Sequence, residues 1–185
     1  MANEKKMDYA ILGLLSHESM TGYEIKKRMD TTLKFFWGAS YGSIYPTLSN
    51  LVQDEKITKF ETVENGREKI IYTITEQGRM HLKNWLSLPV EKDEIRYETL
   101  LKLFFGNEIG AKGTLEHIDN FSDKIRGQLL FLKGAVNELE QIKDEDLTHV
   151  YYQLTAMFGV KAYEAYLEWC VEARNILMGI GDGVE

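Results

Sequence analysis

Apolar positions recur every three or four residues over the first fifty residues, alternate briefly, and then return to helical spacing to the end of the chain. Met7, Ile11, Leu14 and Leu15 predict a first helix over about residues 5–16. Thr21-Gly22-Tyr23-Glu24 then fits a capping box, with Thr21 as N-cap and Glu24 three residues on. Ile25, Met29, Leu33 and Phe36 give the buried stripe of the helix that follows. In a third helix, Ile44, Leu48, Leu51 and Val52 form one stripe, while Ser43, Thr47 and Asn50 share another face beside Tyr45. Pro46 requires a late start for this helix, because proline is tolerated only in the first turn; Ser43 as N-cap satisfies that condition.

The spacing changes at Ile57–Val63 and Arg67–Ile74, two β-prone runs flanking Glu64-Asn65-Gly66. Asn-Gly between such runs predicts a tight hairpin. Two strands alone are marginal, so the hairpin must lie on the helices. Thr75 caps a fourth helix with Leu82, Trp85 and Leu86 as its stripe, and Leu88-Pro89-Val90-Glu91-Lys92 breaks the pattern. The second half reads as helix throughout. An apolar helix over 95–105 ends at Gly106-Asn107, and a long helix over about 114–143 carries Ile125, Leu129, Leu132, Val136 and Leu139 in a 4-3-4-3 seam. A last helix, about 147–178, aligns Leu147, Val150, Leu154, Met157, Phe158, Ala165, Trp169, Ala173 and Ile176.

The fold class is therefore mainly α with a small β-hairpin: a winged helix-turn-helix domain over 1–88, followed by a helical domain over 93–185. The third helix is the candidate for DNA recognition. A merely solvated face usually carries Lys and Glu, whereas hydroxyls, an amide and a tyrosine suit phosphates and base edges. The free N–H groups at its start, over Tyr41 to Tyr45, also favour phosphate. Lys26, Lys27 and Arg28 form a basic run one helix earlier, and Arg67 and Lys69 flank the hairpin tip. Lys5 and Lys6 fit either a solvated helix end or a phosphate contact.

Charge bears on this reading. The net charge of −7 is unusual for a nucleic-acid binder. It divides unevenly, however: residues 1–87 sum to +1 and residues 88–185 to −8. Screening over a Debye length of about 8 Å separates a local basic edge from distant carboxylates. Catalysis finds little support. His17, His81, His117 and His149 lack metal-ligand spacing, and there is no P-loop or Gly-x-Ser-x-Gly elbow. Gly179-Ile180-Gly181-Asp182-Gly183 resembles a dinucleotide fingerprint only in spelling, because no strand precedes it. No cofactor or metal is expected. The single cysteine, Cys170, excludes intramolecular disulfides, and no apolar run approaches a membrane span, so a cytoplasmic location is expected.

Several stretches resemble the PadR family of bacterial transcriptional regulators. They are Met7-Asp8-Tyr9-Ala10-Ile11-Leu12-Gly13-Leu14-Leu15, Thr21-Gly22-Tyr23-Glu24-Ile25, and above all Gly42-Ser43-Ile44-Tyr45-Pro46-Thr47-Leu48. Tyr72-Thr73-Ile74-Thr75-Glu76-Gln77-Gly78 is similar to the end of the family wing, and residues 96–106 to its first tail helix. The resemblance implies a homodimer whose tail helices pack across a two-fold axis, which makes 93–185 a helical dimerisation domain, with the third helix in the major groove of a pseudo-palindromic operator. By position it implies Tyr23, Tyr41, Ser43, Tyr45 and Thr47 on the DNA face, with Arg67 and Lys69 on the wing; Thr21, Lys26, Lys27 and Asn50, from their own places on these helices, complete the DNA-binding candidates. Ile125, Leu129, Leu132, Leu154, Phe158 and Trp169 are the dimerisation candidates. The implied function is a repressor released by a small effector, phenolic in class; an activator of the same family, or a helical protein-interaction module, are the alternatives. The tail aromatics admit two readings: core and dimer interface, or a pocket for such an effector.

Overall fold

The computed structural model describes residues 2–37, 41–64, 67–91, 93, 97–142 and 147–181. The chain forms two compact units, Met1–Asp93 and Glu94–Glu185.

The first unit runs α1 (Ala2–Leu15), β1 (Met20–Thr21), α2 (Gly22–Thr31), α3 (Ile44–Gln53), β2 (Ile57–Glu64), β3 (Arg67–Ile74) and α4 (Glu76–Leu86). Its core draws Ile11, Leu12 and Leu15 from α1, Ile25 and Met29 from α2, and Ile44, Leu48 and Leu51 from α3. Ile57, Tyr72 and Ile74 close it from the strands and Leu82 from α4. These side chains lie on helical stripes or on one face of the hairpin, which is why their burial follows from their spacing. Tyr9 stacks on Trp85 at 4.4 Å and on His81 at 5.2 Å, joining α1 to α4.

The hairpin pairs Glu64 with Arg67, which leaves a two-residue connection over 65–66; those two residues lie outside the described set. Lys59 faces Tyr72 and Ile57 faces Ile74. A feature absent from the sequence reading is β1, whose two residues pair with β3 through Met20 opposite Tyr72 and Thr21 opposite Ile71. The sheet order is β1-β3-β2, so the wing is anchored by a third strand that is too short to show a period. Thr75 caps α4 by accepting from the Gly78 N–H at 3.0 Å, as the sequence predicts.

Two apolar assignments are corrected. Phe36 is 54% exposed, because α2 ends at Thr31 and a 3₁₀ turn over Leu33–Phe35 rotates the stripe away. Leu86, on the last turn of α4, is 65% exposed.

The second unit contains α5 (Glu98–Phe104), α6 (Gly110–Glu140) and α7 (Thr148–Gly181). α6 and α7 form an antiparallel pair, tied by Glu140 to Gln153, Lys133 to Glu164 and Asp119 to Arg174. Ile118, Ser122, Ile125, Leu129 and Leu132 of α6 are buried, as are Tyr163 and Cys170 of α7. At Gly159 an added Cβ would stand 2.8 Å from Leu132 Cδ1, so this glycine allows the two helices their close approach. No helix is long and apolar enough to cross a membrane among the described residues.

Candidate nucleic-acid interface

The helix-turn-helix geometry begins at the capping box. The Thr21 N–H donates to Glu24 Oε2 at 2.7 Å, and the Glu24 N–H donates to Thr21 Oγ1 at 3.2 Å. The Thr21 hydroxyl also donates to Glu24 Oε2, at 2.8 Å. These bonds, the backbone one first, hold the Glu24 carboxyl below its ordinary range, and Lys69 and Lys27 add to the effect. The sequence reading made Thr21 a DNA contact. Its only hydroxyl proton is already committed to Glu24, so it shapes the start of α2 and has none to donate to a phosphate.

On α3, Ser43 takes the N-cap position and Pro46 falls third in the helix, where its missing N–H interrupts no helical bond. Ser43 makes no side-chain cap bond, however; a 3₁₀ turn over Tyr41–Ser43 leads into the helix instead. Tyr45 is 60% exposed, and Ser49 and Asn50 face outward with it. Thr47 is a correction: it is 7% exposed. It stands three residues after Ile44 and four before Leu51, inside the apolar stripe rather than on the polar face. It cannot reach a base from there. Ser49, one turn beyond Tyr45, shares the exposed side of α3, as its i+4 spacing from Tyr45 signals.

Tyr23 lies one residue into α2 and is 70% exposed. Lys26 and Lys27 are exposed on the same helix, and Arg28 pairs with Glu18 at 2.8 Å. On the wing, Lys69 is exposed, and Lys59 pairs with Glu61 at 3.1 Å. The side chains of Tyr41 and Arg67 lie outside the described set. The Tyr72 phenol is pushed up by burial, with Lys59 opposing and Tyr45 and Glu61 reinforcing. Tyr23, Tyr45, Ser49, Asn50 and the two lysines thus belong to the exposed surfaces of α2 and α3. Here hydroxyl, amide and ammonium donors suited to a phosphate backbone outnumber carboxylates.

Three dimerisation candidates also change place. Ile125, Leu129 and Leu132 are buried within their own protomer, under α7. A 4-3-4-3 seam specifies a helical partner without saying which chain supplies it. Leu154 and Phe158 are exposed on α7, and Trp169 is half-buried. The tail rings pack on one another: Tyr97 meets Phe121 and Tyr166 edge-on, and Phe121 meets Trp169. The Tyr97 hydroxyl donates to that of Tyr166 at 3.1 Å, and burial followed by this bond pushes the Tyr97 phenol up. Two open grooves of the unit, about 270 and 380 Å³, are lined by none of these rings. Among the described residues no three His, Cys, Asp or Glu side chains converge as a metal site.

Residues 11–84 match the family model for the transcriptional regulator PadR-like family, and residues 95–178 match the model for the virulence activator alpha C-terminal region. The negative transcriptional regulator PadR of Bacillus subtilis is 30% identical over 88% of this chain and 93% of its own length. Bacillus subtilis PadR solved with operator DNA superposes with a TM-score of 0.75 at 26% identity, covering 92% of this chain and 98% of that one. The same protein with p-coumaric acid gives 0.69 at 25% identity, over 92% and 98% of the two chains. The protein smu.1604c of Streptococcus mutans gives 0.79 at 30% identity, over 89% and 96%.

Proposed function

Because this chain belongs to the PadR-like family of DNA-binding transcriptional regulators, we propose that it acts as a homodimeric repressor whose α3 enters the major groove of a pseudo-palindromic operator. One observation carries the reading: Tyr45, Ser49 and Asn50 are exposed on α3, while Tyr23, Lys26 and Lys27 are exposed on the helix before it. Tyr23, Tyr45, Lys26, Lys27 and the Ser43 region hold phosphates and set the register; Asn50 and Ser49 reach base edges. α3 has no Arg or Lys, so bidentate reading of guanine is not available to it. Specificity then rests on amide and hydroxyl contacts, on DNA shape at the wing and on the spacing of two half-sites.

The exposed stripe Leu147, Tyr151, Leu154 and Phe158 supports the dimer. Its members stand four, three and four residues apart, and a soluble monomer rarely leaves such a stripe uncovered. The repressor assignment is supported by the Bacillus subtilis relative, a negative regulator. The effector assignment is supported by p-coumaric acid in the solved complex of Bacillus subtilis PadR, and by the density of phenol and indole rings in the second unit. The effector is a small phenolic acid that favours a dimer geometry unable to span both half-sites.

The test is selection of binding sites from genomic DNA with the purified chain, repeated with p-coumaric acid. The reading expects two inverted half-sites about one helical turn apart, ~34 Å, and loss of binding when the acid is added. Selection of a single asymmetric site would overturn the dimeric reading. Binding indifferent to a panel of phenolic acids would overturn the effector.

A further inference from the structure

Gly22 is the first residue of α2 and is buried, between half-buried Thr21 and exposed Tyr23. A Cβ added there would stand 2.8 Å from Tyr45 Cε1 and 3.4 Å from Tyr45 Cζ. The next neighbour, Leu48 Cδ1, would be at 3.5 Å, an ordinary contact. The ring of Tyr45 therefore rests against the backbone of α2, at a distance that a methyl group would deny it. Nothing in the backbone demands glycine at this point. Gly22 is in the first turn of an α-helix, next to an intact capping box, where alanine is the better helix former. The missing side chain is explained by the ring and not by the fold.

We propose that Gly22 is a positioning residue for DNA recognition: by lacking a side chain, it seats the Tyr45 ring against α2 and so sets where the phenol hydroxyl meets the operator. This rests on the reading of Tyr45 as a DNA contact. The ring is the exposed end of a flexible side chain, so a methyl at position 22 rotates it away and leaves the core of Ile25, Ile44 and Leu48 in place. The seat is preformed in the free protein. The ring thus bridges α3, which carries it, and the start of α2. A displaced Tyr45 loses an aligned hydrogen bond, and the protomer loses the fixed relation between its recognition helix and the helix before it.

The experiment is a double-mutant cycle on the full-length dimer: wild type, Gly22→Ala, Tyr45→Ala and the double variant. Affinity for a selected operator fragment is read by fluorescence anisotropy at one salt concentration, with thermal melting beside it. Gly22→Ala is expected to weaken binding roughly tenfold in the wild-type background and to change it less than about twofold in the Tyr45→Ala background, the signature of coupled residues. Its melting temperature is expected to stay at or above that of the wild type. Equal losses in both backgrounds, no loss in the wild-type background, or a lowered melting temperature would each overturn the positioning role while leaving Tyr45 as a contact. An operator affinity unchanged by Tyr45→Ala would overturn both readings together.

Discussion

His81 is held between burial and charge. Burial is the larger influence that lowers its pKa, Lys56 adds to it, and Asp8 and Asp54 oppose it. A group whose folded pKa is depressed stabilises the fold above its unfolded value and loses that contribution as pH falls through the folded one. The first unit should therefore melt at lower temperature as pH falls below about 6.5, the ordinary imidazole value. Asp8, raised chiefly by burial, acts with the opposite sign: its contribution is lost as pH rises through its folded value. Thermal melting between pH 7.5 and 5.5 checks this, and His81→Phe, which keeps an aromatic ring on Tyr9, is expected to flatten the dependence. Thr47 gives a second prediction at this scale. It is enclosed by the apolar stripe of α3, so Thr47→Val should leave operator affinity within about twofold of wild type, as expected for a group that makes no base contact. The misplacement of Thr47 has a simple origin. A short hydroxylated side chain looks polar in a sequence, yet it is small enough to be enclosed when its position on the wheel flanks Leu51 at the edge of the apolar stripe. Tyr45 was legible as exposed because its position lies beyond that stripe. Its seat on Gly22 was not, because two positions 23 residues apart show no period.

Among the elements, the junction of wing and α4 is the most tightly built. A Cβ on Gly78 would stand 2.1 Å from the Lys56 carbonyl oxygen, and this backbone cannot swing aside as a side chain can. The same carbonyl accepts from the Thr75 N–H at 3.0 Å. Gly78→Ala should therefore destabilise the first unit by about 1–3 kcal/mol or more, the usual cost of forced overpacking, read by urea unfolding. An unchanged midpoint would show that the contact relaxes freely. Helices with strong caps and clean stripes were readable in the sequence, as was the Asn-Gly hairpin. β1 was not, because two residues carry no alternation, and it exists only where β3 offers an edge. Helix ends were misjudged at Phe36 and Leu86, where apolar residues continue past the last turn that packs.

At the scale of the whole molecule, the second half is acidic and the first half nearly neutral. The sequence distinguished these halves by charge and by period. It could not say which apolar stripe is covered within the protomer and which is left exposed, since Ile125 and Phe158 are equally apolar and equally periodic. Packing separates them: Ile125 lies under α7, whereas Phe158 is 72% exposed. Phe158→Glu should accordingly raise the dimer dissociation constant by roughly a hundredfold or more, as for removal of a buried aromatic anchor. Sedimentation velocity at micromolar concentration reads the outcome, and an unchanged dimer would relocate the interface. The central claim, that a dimer grips its operator through Tyr45 and its neighbours, is tested most directly by the salt dependence of operator binding in wild type and Tyr45→Ala. Wild type should lose affinity linearly on a log–log plot, with a slope of roughly −0.9 per phosphate neutralised. Because the phenol carries no charge, Tyr45→Ala should bind at least about tenfold more weakly at every salt concentration, with nearly the same slope. Coincident curves for the two proteins would contradict the account.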